Sequence, residues 1–374
     1  MVEDSSIQRI ARLTPLGAVL RLIEAKVTPV KPGRCAVAHA LGCTLAEDAI
    51  APPLPAVPIA LRDGFAIAAA AITDANAYAP TPFDAAFARI NAGEPLPRGA
   101  DAVLPLDAVT FHGDRAAAVG AVPPGDGVLA AGGDVAARMP LIRAGQRLRA
   151  VDLAVMMAAG IADGTMRAPR LCLACGGAAK SAPIEAALVF LFRAGWSAGA
   201  EMFDSSRKPA WLEGALTDGH ADAVIAVGGT GRGRHDVAVR TLAKHGRVEV
   251  HGIAVAPGET AAFGFVGERP VLLAPGRLDA TLAIWLLIGR HLLARLAGGS
   301  VEDAQVTLPL KRKVTSTIGL TELIPVACAG GMAEPLASGY LSLTSLIGSD
   351  GWIVVPAESE GFAEGSRVAV TPWP

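Results

Sequence analysis

The chain has 374 residues, of which 52% are hydrophobic, 42 are glycine and 27 are proline; this excludes a disordered or fibrous protein and suggests two or three domains of about 150 residues each. Its 33 basic and 35 acidic residues leave a formal charge of −2, so no long-range field recruits nucleic acid or an anionic membrane, and any anion must be bound locally. Five cysteines, an odd number, and a start "MVEDSSIQRIARL" without an apolar signal core point to a reduced, cytoplasmic chain.

In chain order, "TPLGAVLRLIEAKV" predicts a helix over 14–27, with Thr14 as N-cap and Pro15 at the first helical position. A second amphipathic segment, "RCAVAHALGCTLAED", follows a Pro-Gly break. Four prolines between residues 52 and 58 forbid both a helix and a central strand, and mark a rigid extended crossing. Residues 65–130 alternate short apolar runs with Pro and Gly, the pattern of a small β domain. Helical periodicity returns at "VDLAVMMAAGI".

From Arg170 onward strands and helices alternate: "LCLAC", "APIEAALVFLFRAGW", "AGAEMF", "PAWLEGALTDGH", "ADAVIAVGG", "DVAVRTLAKHG", "RVEVHGIAVAPG" and "RPVLLAPG". Such alternation predicts crossover units and a mainly parallel sheet. The apolar segment from Asp279 is broken by Arg290, His291 and Arg295, well short of the roughly 20 residues of a membrane span, and reads as a buried helix ending at Gly298 and Gly299. After Ser300 the pattern returns to β.

The stretch "VGGTGRGRHD", 227–236, follows an apolar strand and precedes a helix. Glycines 228, 229, 231 and 233 would let a ligand approach the backbone, and Arg232, Arg234 and His235 could add charge-assisted contacts to an anion; a plain turn fits equally well. Asp236 by itself reads as the N-cap of the next helix. Cys172 and Cys175 have the CxxC spacing, but in a strand such side chains point to opposite faces, so both read as core. Cys35, Cys43 and Cys328 read as core or half-buried. The seven histidines form no ligand cluster. "RDGF" at 62–65 makes Asp63 either a turn residue or a ligand.

The ordered series "LRDGFAI", "NAGEPLPRGADAVLPLDAV", "GGDVAARMPLIRAGQRLRAVDLAVMMAAGI", "VGGTGRGRHD", "VAPGETAAFGF", "VLLAPGRLDA" and "GYLSLTSLIGSDGWIVVPAESEGFAEGSRVAV" resembles the MoeA family of molybdopterin molybdenumtransferases, related to the C-terminal domain of gephyrin. The resemblance spans essentially the whole chain. It implies a multidomain α/β plus β fold: a mixed N-terminal domain (1–50 and 131–168), an inserted small β domain (51–130), an α/β molybdopterin-binding domain (169–300) and a C-terminal β barrel (301–374). It also implies an elongated homodimer, adenylylated molybdopterin and molybdate as substrates, Mg2+ as cofactor, and other cofactor-maturation proteins as further partners.

Carried over residue by residue, the resemblance implies Asp63, Asp134 and Asp236 as catalytic residues, with Asp63, Asp107 and Asp236 toward Mg2+. It implies Gly228, Gly229, Gly233, Pro257, Gly258, Pro275 and Gly276 toward the pterin and its phosphates; Gly231, Arg232, Arg234 and Arg277, together with Arg62, stand at altered motifs, where the arginines could hold an anion by a different set of contacts. The chain departs from the family at several of these motifs. "SAMDGYA" has become "ALRDGFA", with Arg62; "TGDEL" has become "CGGAAK", with Gly177 and Ala178; "KPGKP" has become "APGET", with Ala256 and Glu259; "PGNP" has become "PGRL". Glu259 inverts the charge of its position. The two functions to be distinguished are molybdenum insertion with release of AMP and a silent paralogue that binds the pterin or a maturation partner without turnover.

Overall fold

The computed structural model describes residues 10–83, 89–112, 115–176, 182–192, 200–204, 211–233, 236–301 and 303–373. The chain divides into two compact units, one of residues 1–46, 145–149 and 165–374, the other of 47–144 and 150–164.

The larger unit is built on helix α1 (Leu16–Lys26) and a six-stranded sheet of β1 (Arg170–Cys175), β2 (Glu201–Asp204), β3 (Ala223–Val227), β4 (Arg247–His251), β5 (Ala262–Val266) and β6 (Arg269–Ala274), in the order β2-β1-β3-β6-β5-β4. The first four positions are parallel, and β5 and β4 are antiparallel additions. Val224, Ile225, Val271, Leu272 and Leu273 are fully buried, as the near-continuous apolar runs of a sheet covered on both faces require. Cys172 packs on one face beside Leu212 and Leu242, and Cys175 on the other with Leu188, Phe263 and Trp285, the opposite-face placement expected. Cys43 is buried, but Cys328 is exposed rather than core, because it lies near the end of a strand that leaves the sheet's covered part.

The apolar segment from Asp279 forms one continuous rod of α-helix Leu278–Ile284, a π-helical stretch Trp285–Gly289 and α-helix Arg290–Leu296. All residues from Asp279 to Gly289 are buried. A Cβ on Gly289 would lie 2.1 Å from the Trp285 ring, so only glycine lets that ring fold onto the wound-out turn. At the basic end, Arg295 Nε donates to Val27 O (2.8 Å), tying the rod to the end of α1. Among the described residues no helix is long and apolar enough to cross a membrane.

Two N-terminal expectations are corrected. The cap of α1 is Pro15, not Thr14. The Thr14 N–H donates to Gly252 O (2.9 Å) and its carbonyl accepts from Ala254 N–H (2.8 Å), so strand-like pairing holds the chain until Pro15. The segment 34–48 is not one amphipathic helix but a strand Gly33–Ala36, a single turn Val37–His39 and a strand Thr44–Leu45.

The C-terminal strands β7 (Val306–Pro309), β8 (Thr321–Ala329), β9 (Met332–Pro335), β10 (Gly351–Val355) and β11 (Arg367–Pro372) run in the order β9-β8-β10-β11-β7, and the strand Val255–Ala256 also pairs with β8, at its start. A bridge between Leu310, just past β7, and Ala333 in β9 brings this path back to its start. Its interior is Leu310, Val314, Ile324, Val326, Ile353, Val355, Val368 and Val370.

The smaller unit consists of short antiparallel ladders and the helix Ala150–Ala158. Strand Gly64–Ile67 lies between Arg89–Ile90 and Ala102–Pro105. A Cβ on Gly64 would sit 2.2 Å from Leu104 O, so this ladder closes only with glycine there. The proline-rich crossing is not extended throughout: Leu54 is bridged to Val135, and the chain then bends over Pro55, Ala56 and Val57 after a cis Leu54–Pro55 bond.

Candidate functional site

The carboxyl ends of β3 and β6 lie side by side, where ligands enter a doubly wound sheet. The Gly228 N–H donates to Ala274 O (2.9 Å), joining the first residue after β3 to the last of β6. Gly228 (φ +98°) and Gly229 (φ +75°) then turn the chain through left-handed backbone that a side chain would strain. Thr230 is buried, and its hydroxyl bonds the Thr260 hydroxyl (3.0 Å), drawing the 228–236 loop onto the 256–260 loop. Its carbonyl meets His251 Nε2 at 3.2 Å.

Asp236 is not the helix cap. The cap of the following helix, Ala238–His245, is Val237, while the Asp236 carboxylate folds back to accept the Gly233 N–H (2.7 Å). A Cβ on Gly231 would lie 2.7 Å from that carboxylate, so the glycines shape a loop closed on its own aspartate. Arg232 is exposed on the loop. Arg234 and His235, and likewise Gly177 and Ala178, lie outside the described residues.

On the second loop, the Gly258 backbone (φ +141°) runs against the buried rod; a Cβ there would fall 2.8 Å from Ile284 Cδ1. The Gly258 N–H donates to the Glu259 carboxylate (3.1 Å), so a donor that could face a ligand is held by the chain's own anion. On the third loop, Pro275 O accepts the Thr281 hydroxyl (2.7 Å), and Gly276 leads into Arg277, the residue before the rod.

Arg277 donates Nε to Asp279 Oδ1 (3.0 Å) and Nη2 to Asp279 Oδ2, a bidentate fork on a carboxylate that is only 4% exposed. Asp279 also accepts the Leu341 N–H (3.2 Å) from the C-terminal part of the unit. The carboxylate bond raises the Arg277 guanidinium above the ordinary arginine value; burial opposes the shift, while the charges of Asp279, Tyr340 and Glu259 reinforce it. This part of the site thus offers one fixed cation with two carboxylates around it.

Asp63, Asp107 and Asp134 belong to the smaller unit. Asp63 Oδ1 accepts the Ala92 N–H (2.8 Å), closing a turn beside Glu94, whose carboxyl is held below its usual value chiefly by the Asn91 backbone N–H. Asp107 and Asp134 are exposed. Arg62 is not available to an anion as expected: Nε (3.1 Å) and Nη2 (2.6 Å) donate to Val103 O, and Nη2 also pairs with Asp126. Arg62→Met is accordingly expected to lower the stability of this unit by about 1 kcal/mol in thermal melts and to leave oxyanion binding unchanged. Among the described residues no three His, Cys, Asp or Glu side chains are gathered to hold a metal ion.

Sequence reading missed Thr230, Asp279, Glu322 and Tyr340. Thr230 and Asp279 sit inside the quoted motifs, where a hydroxyl in a glycine loop and an acid two residues after an arginine were the available signals. Tyr340 also lies inside a quoted motif, the one opening "GYLSL", but only the fold brings it to Arg277; for Glu322 no local signal exists.

Three family models match the chain: the MoeA N-terminal region (domain I and II) over residues 14–160, a "Probable molybdopterin binding domain" over 208–295, and the MoeA C-terminal region (domain IV) over 307–373. A molybdopterin biosynthesis protein of Methanocaldococcus jannaschii is 32% identical over 149 residues, 40% of this chain and 36% of that protein, so the chain spans about a third of that relative. Molybdopterin molybdenumtransferase 1 of Mycobacterium tuberculosis is 27% identical over 75% of this chain and 73% of its own length. The crystal structure of a molybdopterin biosynthesis MoeA protein from Pyrococcus horikoshii OT3 superposes with a TM-score of 0.76 at 22% identity, covering 97% of this chain and all of that one, a likeness of fold.

Proposed function

Because the chain belongs to the MoeA family, with a role in molybdenum cofactor biosynthesis, we propose that it is a molybdopterin molybdenumtransferase, inserting molybdate into adenylylated molybdopterin with release of AMP. The observation that carries this reading is the meeting of three loops, 228–236, 256–260 and 275–279, at the carboxyl ends of β3 and β6, around an arginine locked by a buried aspartate. Glycine backbone there admits a large flat ligand, and Arg277, held on Asp279, presents its remaining N–H donors to an anionic group without reorganising.

Under this proposal Gly228, Gly229, Gly231, Gly233, Pro257, Gly258, Pro275 and Gly276 shape the cleft, while Arg232, Arg234 and Arg277 meet phosphate or oxyanion. Asp236 of the larger unit serves the adenylate and Mg2+, and so, each taken by itself, do Asp63, Asp134 and Asp107 of the smaller unit. The carboxylates fit that ion in one way: a site of one or two carboxylates completed by substrate phosphates needs no three-residue cluster, and the Asp63 and Asp236 bonds to N–H groups each involve a single oxygen. When bound, Mg2+ would supply charge neutralisation at those phosphates. We further propose the four-domain division at residues 50, 130, 168 and 300, a homodimer, and a cytoplasmic location.

Purified protein mixed with adenylylated molybdopterin, molybdate and Mg2+ is expected to release AMP together with formation of the molybdenum cofactor. Tight pterin binding with no AMP released at any concentration would overturn the transferase and leave the silent binder.

A further inference from the structure

Beside Asp279, Arg277 carries a second partner, an aromatic one, that packing does not demand. Its guanidinium lies 4.8 Å from the centroid of the Tyr340 ring. Both side chains are open to solvent, Arg277 at 57% and Tyr340 at 60% exposure. A tyrosine that serves the fold buries its ring and finds a partner for its hydroxyl. Tyr340 does neither: its hydroxyl bonds to no described residue.

The pair is nevertheless held firmly in place. Glu322, buried in strand β8, accepts Ser338 Oγ (2.6 Å) and Gly339 N–H (2.7 Å) just before Tyr340. Asp279, also buried, accepts the Leu341 N–H just after it, and the same carboxylate grips Arg277. Leu341 itself is sunk in the core. Two buried carboxylates therefore fix the backbone on either side of an exposed ring, and one of them fixes the cation stacked on that ring. Ordering an exposed aromatic in advance removes the entropy a ligand would otherwise lose in ordering it. A ring and guanidinium so placed suit a flat, conjugated nitrogen heterocycle, which stacks on either.

We propose that Tyr340, stacked on Arg277, is a specificity-determining platform that receives the planar heteroaromatic ring of the ligand. This rests on the reading of the 228–279 cleft as the site of adenylylated molybdopterin, whose two flat rings, pterin and adenine, are the candidates. Discrimination comes from the ring face of Tyr340 and not from its hydroxyl.

The test titrates wild-type protein, Tyr340→Phe and Tyr340→Ala with pterin-6-carboxylate, followed by its fluorescence quenching, and with AMP, followed by ultraviolet hypochromism. Tyr340→Phe is expected to bind as the wild type does within about twofold. Tyr340→Ala is expected to bind roughly tenfold more weakly and to lose the spectral signature, with an unchanged melting temperature because the ring is exposed. Loss confined to the pterin arm assigns the platform to the pterin; loss confined to the AMP arm assigns it to adenine. Equal affinity of Tyr340→Ala and wild type for both probes overturns the proposal while leaving the site intact. A wild-type protein that binds neither probe overturns the reading of the cleft itself, and this inference with it.

Discussion

Replacing Asp279 with alanine is expected to cause the largest loss of stability of any single change in the cleft, about 2 kcal/mol, while tightening oxyanion binding roughly fivefold. The stability loss comes from the Leu341 N–H, left without its acceptor, and from the space vacated by a buried side chain. The ion pair itself adds little, because Arg277 is more than half exposed and water replaces its partner. Binding gains because the carboxylate that occupies the guanidinium is gone: one negative charge less beside the anion is worth on the order of 2 kcal/mol, more than the roughly 1 kcal/mol of ordering the freed side chain anew. Asp279→Asn separates the two effects: the amide oxygen still accepts from Leu341, so melting stays near wild type, while the charge that fixes Arg277 is gone. Thermal melts and molybdate titrations on both variants check this; an Asn variant that binds molybdate no more tightly than wild type removes the Asp279 charge from the account.

Changing Glu259 acts on binding in the same direction, without the loss of stability. Its carboxylate occupies the Gly258 N–H and adds negative potential at Arg277. Glu259→Gln keeps an acceptor for that N–H and removes one charge, which is worth on the order of 1 kcal/mol near a half-exposed site. Molybdate is therefore expected to bind roughly fivefold more tightly, and Glu259→Lys, which shifts the local charge by two, roughly thirtyfold more tightly. Calorimetric titration at low and moderate salt checks both gains, which must shrink as salt rises. Unchanged affinity in the lysine variant would place Glu259 outside the anion's field.

How far this cleft is legible in the sequence depends on the range of the interaction. The strand running into Gly228 and the helix after it follow from local apolar period and turn chemistry, and the glycine pattern marks where backbone must come close to something. Asp236 shows the limit. Its spacing suits a helix cap, yet its carboxylate turns back to Gly233, because the loop glycines leave room that a cap position would not. Arg62 shows the same limit: a cation in an altered motif looks free for an anion, but strand pairing puts Val103 O and Asp126 against it. Thr14 loses its cap role to pairing with residues 252–254, more than two hundred positions away.

By itself the sequence determined the order of modules, the strand and helix alternation of residues 170–296, the opposite faces of Cys172 and Cys175, and the glycine loop at the end of β3, since each depends on neighbours within a turn or a strand. Only the tertiary structure decided which groups share the cleft. Thr230 meets Thr260, Asp279 meets Leu341, and Arg277 meets Tyr340 because the sheet's crossovers and the returning C-terminal strands bring distant segments within bonding range. Such contacts are fixed by the burial of long apolar faces, and the polar atoms that end up side by side are a consequence of that packing, which no local pattern encodes.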